Sequence, residues 1–346
     1  MEKTKLTKLI TDVFAPRSTE TVLLLYDLPT QSIPDNPAWQ ARRKMTEAWQ
    51  QIFTPLVKQA DISQYPATGR HNGDIPSDVI ELAQTYDIII AMTEYSASAP
   101  LKTLTKGANP KRVASMPTVE KRMENTAFQA DYSLVKKYAL AIKELLTQAN
   151  SADVLFSSGD KLHFDLRYRD AEADKGECSQ PGQFINFPSG EAFIVPYEAS
   201  PDEAKTNGSS QTSGVWPIMH DGVLLKLTVA ENKITDIVGP EPAKTSAEKL
   251  FSENPTRRNI AELGIGCNPN AVVSGNVLED EKVGLHIAYG TSSHFTGGTV
   301  TSDMHEDIVY AKGCPIEGTS VVLNLANGKK VEIIKNSEIQ YNLLND

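Results

Sequence analysis

Through the first half of the chain, short apolar runs alternate with longer stretches of helical period. Residues 21–26 are leucine-rich and branched, the pattern of a strand buried on both faces, and Asp27-Leu28-Pro29 closes the run as a turn. Met45, Trp49, Phe53 and Leu56 recur at three- and four-residue steps and predict a helix over 39–58, with Pro55 positioned to end it early. Residues 87–92 and 112–116 read as two further buried strands. Residues 132–148 predict a helix whose apolar stripe is Leu134, Tyr138, Ala141, Ile142 and Leu145. Strands and helices in alternation imply a parallel sheet with flanking helices.

From Ala152 onward the period changes to two. Residues 161–168 carry Leu162, Phe164, Leu166 and Tyr168 on one side, as a half-buried strand does. Residues 222–230 and 233–238 flank a Glu231-Asn232 turn, and 319–325 and 329–334 flank Asn327-Gly328, a tight-hairpin signal. One helix is expected over 246–263, broken near Pro255, and the polar stretch 200–213 is expected to be a surface loop. The expected fold class is therefore an α/β N-terminal domain, residues 1–150, followed by a mainly β, metal-binding C-terminal domain, residues 151–346.

A chain of 346 residues exceeds the size of a typical single core, which agrees with two domains. Its formal charge of −10 argues against nucleic acid as a partner, since tracking phosphates needs a basic face. No apolar run is long enough to cross a bilayer, so no membrane partner is expected. The first sixteen residues lack the unbroken apolar stretch of an export signal. Cys178, Cys267 and Cys314 are odd in number and far apart, a poor disulfide framework suited to a reducing compartment. A cytoplasmic location is expected.

The chemistry concentrates in the second half. Glu191 follows a Pro-Ser-Gly turn and opens an apolar run; Glu262 sits between Ile260 and Leu263-Gly264-Ile265-Gly266. An acid among apolar neighbours needs a partner, because burying a lone carboxylate costs several kcal/mol. His286 interrupts the apolar run 283–290, where a core histidine bonded to backbone is the ordinary alternative. His305 and Asp307 are two apart, so a strand projects both to one face. Two imidazoles and three carboxylates suit zinc, manganese, cobalt or ferrous iron. Three acids exceed what one ion needs and can bridge two ions about 3.5–4 Å apart. Divalent ions, two per chain, are the expected cofactors, with Glu262 as general base and Glu191 as the alternate.

At these residues the sequence resembles the aminopeptidase T and aminopeptidase S metallopeptidases, the thermophilic leucyl aminopeptidases. The resemblance is carried by residues 186–193, by Asn259-Ile260-Ala261-Glu262-Leu263-Gly264-Ile265-Gly266, by 278–290 including Glu279-Asp280-Glu281-Lys282, and by 303–308, with Arg112-Val113-Ala114-Ser115-Met116-Pro117 extending it toward the N-terminus. It implies a hydrolase, a two-metal exopeptidase working as a homodimer on short peptides, with Glu191, Glu262, His286, His305 and Asp307 as the metal positions. The family's oxyanion-stabilising tyrosine has no counterpart in Thr291-Ser292-Ser293-His294-Phe295, so His294 or Tyr289 is expected to replace it. The same resemblance reaches ring-cleaving dihydroxypyridine dioxygenases, whose single ferrous ion His286, His305 and Asp307 could hold. The two glutamates favour the hydrolase, for a mononuclear oxygenase has no use for them. A third alternative is a metal-stabilised relative without turnover.

Overall fold

The computed structural model describes residues 1–344. It divides into two compact units. The first comprises Met1–Lys136, Asp174–Gly190 and Asn268–Val272, and the second comprises Lys137–Ala173, Glu191–Cys267 and the chain from Val273 onward. The sequence had suggested one crossing at residue 150, but the chain re-enters the first unit twice. The cause of one return is Phe184–Asn186, a strand too short to leave a periodic signal, which pairs in parallel with Arg112–Ser115.

The first unit is built on a parallel sheet in the order Gln59–Pro66, Thr21–Leu28, Ile88–Ala91, Arg112–Ser115, Phe184–Asn186. Ile88–Ala91, an unbroken apolar run, and Arg112–Ser115 are buried throughout, the Arg112 guanidinium being paired with Glu20. The helix Pro37–Phe53 starts where Asn36 accepts a hydrogen bond from the Trp39 amide at 2.8 Å and stops just before Pro55. Its buried face includes Trp39, Met45, Trp49 and Phe53. No helix among the described residues is long and apolar enough to cross a membrane.

The second unit holds two antiparallel sheets that share one apolar core. The larger runs Lys233–Val238, Val223–Ala230, Ser213–His220, Lys161–Asp165, Ala149–Phe156, Gly318–Leu325, Lys330–Lys335, Glu338–Ile339. The smaller runs His305–Val309, Leu285–Gly290, Ile260–Gly266, Glu191–Ile194, Glu172–Asp174. Phe156, Phe164 and Trp216 from the first meet Leu263, Ile265, Leu285, Ile287 and Tyr289 from the second in the core. Both predicted hairpins form: Glu231 and Asn232 take positive φ in one turn, and Gly328 does so in the other. The expected α/β unit followed by a mainly β unit is what the chain builds.

Four local expectations are corrected. The helix predicted over 246–263 ends at Glu253, and after a 3-10 turn at Pro255–Arg258 the segment Ile260–Gly266 is a fully buried strand. Two glycines and neighbours on both edges override its helical pattern. Residues 200–213 are not all loop, for Ser200 and Glu203 form a capping box on the short helix Pro201–Asn207. In Tyr132–Gln148 the stripe is rotated by one position: Val135, Ala139, Ile142 and Leu146 are buried and Leu134 is exposed. The strand predicted to reach Tyr168 ends at Asp165, and Tyr168 is exposed with a positive φ.

Candidate metal centre

Three neighbouring strands of the smaller sheet set the geometry. In register, Ala288 lies between Glu262 on one side and Asp307 on the other, so these residues form a row across Ile260–Gly266, Leu285–Gly290 and His305–Val309. Two residues along, His286 pairs with Gly264; two the other way, Gly290 pairs with His305. Glu191 opposes Gly266 on the next strand. Because side chains alternate across a sheet, all of these residues project from one face, while Leu263, Ile265, Leu285 and Ile287 on the other face fill the core. The positions between the ligand candidates are Gly264, Gly266, Ala288 and Gly290, so the floor of the cluster is almost bare backbone.

Each oxygen of Glu262 faces a different imidazole. Oε1 lies 3.3 Å from His286 Nε2 and Oε2 lies 3.1 Å from His305 Nε2. Each imidazole also meets a second carboxylate: His286 Nε2 is 3.4 Å from Glu191 Oε2, and His305 Nε2 is 3.5 Å from Asp307 Oδ1. Bonds of about 2.0–2.1 Å to a tetrahedral ion put adjacent ligand atoms ~3.3–3.4 Å apart, so these spacings fit a divalent cation. Among the described residues, Glu262, His305 and Asp307 make the compact ligand group. His305 is oriented by its second nitrogen, Nδ1, 2.7 Å from the Thr291 carbonyl, which leaves Nε2 turned to the acids. His286 Nδ1 is buried and has no protein partner.

The electrostatics follow from burial and proximity. Burial acts to raise the Glu262 carboxyl, but the two imidazoles overcome it and hold the group far below the usual range. Burial also opposes charge on His286, yet its bond to Glu262 and the charges of Glu191, Glu262 and Asp307 hold it up to about 9. His305 is held well above its ordinary value by Asp307 and Glu262 despite burial. The five sequence-predicted metal residues, Glu191, Glu262, His286, His305 and Asp307, are thus brought to one cluster.

The two proposed oxyanion residues separate. Tyr289 alternates to the opposite face from His286, where its ring packs 5.2 Å from Phe251 and 6.2 Å from Trp216 in the core. It is no part of the cluster, for reasons of strand parity alone. His294 lies exposed on the loop after that strand, its ring 5.1 Å from His305. Phe295 is 5.3 Å from the same ring.

Two residues of the cluster were missed. Lys282 is fully buried, with Nζ 2.5 Å from Glu191 Oε1 and 2.6 Å from Glu281 Oε1. Burial pushes the Glu281 carboxyl up to about 8; Lys282 opposes this, and Glu191 and Asp307 add to it. Both follow the short helix Val277–Asp280, begun by Asn276 and anchored by Asp280, which accepts from the Ser274 and Gly275 amides at 2.7 and 2.8 Å. The run Glu279-Asp280-Glu281-Lys282 reads by itself as a solvated charged turn, and only the adjoining apolar strand hinted that part of it is buried. A further buried acid, Glu198, organises the loop that bears His294. It accepts from Asn259 Nδ2 at 2.7 Å, Ser292 Oγ at 2.5 Å and the Thr299 amide at 2.6 Å.

No protein-family model matches the sequence, and no curated protein matches it. Solved structures do share its fold. The 2,5-dihydroxypyridine dioxygenase of Pseudomonas putida KT2440 superposes with a TM-score of 0.70 at 18% identity, over 98% of each chain. Wild-type AmpT from Thermus thermophilus superposes with a TM-score of 0.61 at 12% identity, over 98% of this chain and 99% of that one.

Proposed function

We propose that the protein is a divalent-metal-dependent hydrolase that releases N-terminal residues from short peptides. The observation that carries this reading is the position of Glu262, which offers one oxygen to His286, itself beside Glu191, and the other to His305, itself beside Asp307. A carboxylate shared in this way is suited to bridging two cations. When bound, zinc, cobalt or manganese ions would supply Lewis acidity and a water acidic enough to be deprotonated near neutral pH. Glu191, Glu262, His286, His305 and Asp307 would hold them. The fold shared with AmpT from Thermus thermophilus, together with the sequence's resemblance to the aminopeptidase T family, supports the reading by analogy.

The chain's own residues divide the remaining work. Both oxygens of Glu262 are committed to imidazoles, so the proton-carrying role expected of it passes to Glu281, the acid of the cluster beyond the ligand candidates. The acids of the cluster attract the cationic α-amine of a peptide, which favours attack at the chain end. In this reading His294, exposed and with its ring 5.1 Å from His305, would donate to a developing oxyanion. The same reading takes the protein to be a cytoplasmic homodimer.

The second reading is a ring-cleaving dioxygenase, favoured by the higher TM-score of the Pseudomonas enzyme. That chemistry uses two histidines and one carboxylate around one iron. Here His286 and His305 stand on different oxygens of Glu262, and the compact group takes Glu262 in place of His286. A closed structural site is disfavoured by the His305 and Asp307 side chains, which are 16% and 17% exposed and leave room for substrate. The deciding experiment reloads metal-depleted protein with zinc, cobalt or manganese and measures residues released from a peptide library, alongside oxygen uptake by the iron form with 2,5-dihydroxypyridine. Peptide release abolished by Glu281→Gln, with metal retained, supports the hydrolase. Oxygen uptake without peptide release replaces it with the dioxygenase.

A further inference from the structure

The two halves of the cluster differ in access and in charge. His305 and Asp307 are partly open to solvent, with side chains 16% and 17% exposed. His286 and Glu191 are sealed at 1% and 7%. The sealed half already contains a cation: the Lys282 ammonium binds Glu191 Oε1, while Glu191 Oε2 is the oxygen turned to His286. A second bond to Glu281 holds that ammonium in place, and its side chain is fully buried. Compactness points the same way, since the tight ligand group is Glu262, His305 and Asp307 and does not include Glu191.

We propose that Lys282 makes the His286–Glu191 half the weaker cation position, so that the centre loads in two unequal steps. The first ion takes Glu262, His305 and Asp307, and the second enters against the Lys282 ammonium. Like charges repel strongly where water is excluded, and Lys282 also draws off part of the negative charge that Glu191 would give a metal. A purely orienting role for Lys282, as an outer partner that aims Glu191, predicts the opposite sign on its removal, a loss of about 10–100-fold in affinity. The inference rests on the metal centre of the proposed hydrolase but not on peptide hydrolysis.

The test is calorimetric titration of the metal-depleted full chain with zinc, repeated with cobalt and read by its absorption spectrum. Wild-type protein is expected to bind in two steps whose dissociation constants differ at least tenfold. Lys282→Met is expected to tighten the second step at least tenfold and leave the first within threefold, with circular dichroism confirming the fold. Should that variant not fold, the wild-type background decides: His286→Ala is expected to keep the tight step and His305→Ala to lose it. Equal affinities in the wild type, a second step weakened or unchanged in Lys282→Met, or a tight step lost in His286→Ala overturns the proposal. Stepwise loading without peptide release would overturn the hydrolase and leave the role of Lys282 standing, whereas peptide release with equal loading would do the reverse.

Discussion

The imidazole of His286 rests against Gly264, so closely that a Cβ at position 264 would lie 1.8 Å from Nε2. Gly264 does not have a positive φ, so its need for glycine is one of space alone. Gly264→Ala is expected to push His286 off its Glu262 contact and to cost about 1–3 kcal/mol through overpacking. Metal titration and thermal melting of the variant check this; unchanged affinity for the second ion would contradict the packing account.

Glu262→Gln removes the charge that joins the two histidines. The loss should exceed the ~10–100-fold cost typical of an outer metal partner, and it should weaken both binding steps because each oxygen serves one of them. Titration of the variant is the check. A loss confined to one step would mean that Glu262 is not shared.

The metal-free protein should lose stability as the solution is made more alkaline. The His286 imidazole is raised from 6.5 to about 9 in the fold, so its stabilising contribution is complete below pH 6.5 and is lost as pH rises toward 9. Glu281, raised from 4.5 to about 8 chiefly by burial, acts in the same sense over its own interval. Metal loading requires neutral imidazoles and should flatten this dependence. Calorimetry with and without a chelator between pH 6.5 and 9 measures the difference, and a metal-free melting temperature that rises over this range would refute the assignment.

Glu198→Ala should loosen the loop that bears His294. The wild-type carboxylate also accepts from Thr299 Oγ1 at 2.7 Å, and it joins Ser292 near one end of the loop to Thr299 near the other. Leaving those donors without a partner costs about 1–3 kcal/mol. Limited proteolysis should then cut within residues 291–301, and peptide turnover should show a raised KM. Protease resistance equal to wild type would argue that the loop is held by other contacts.

Much of this centre was legible because strand parity is a short-range code. His305 and Asp307, two apart, needed only a strand to share a face, and they lie on one. Glu262 was placed on a helix by its neighbours, yet its embedding among apolar residues marked it as an acid with a partner whatever the local structure. Parity also excludes Tyr289, and an odd offset from His286 within one strand could have shown it. Lys282 was not legible in the same way. Its partner Glu191 is far away in sequence, and only the fold brings the two within 2.5 Å. The strand Phe184–Asn186 was hidden for a different reason, since three residues give no period to detect.

The antiparallel register of the smaller sheet fixes more than strand pairing. Sliding His305–Val309 by one residue would turn His305 and Asp307 toward the apolar core and bring Glu306 and Ile308 round to the ligand face. Such a slip takes His305 and Asp307 away from Glu262 together, so forming the tighter cation position and setting this edge strand in register are a single event. Forms in which this strand is unpaired or out of register should therefore lack the tight binding step, and added zinc should favour the correctly registered sheet.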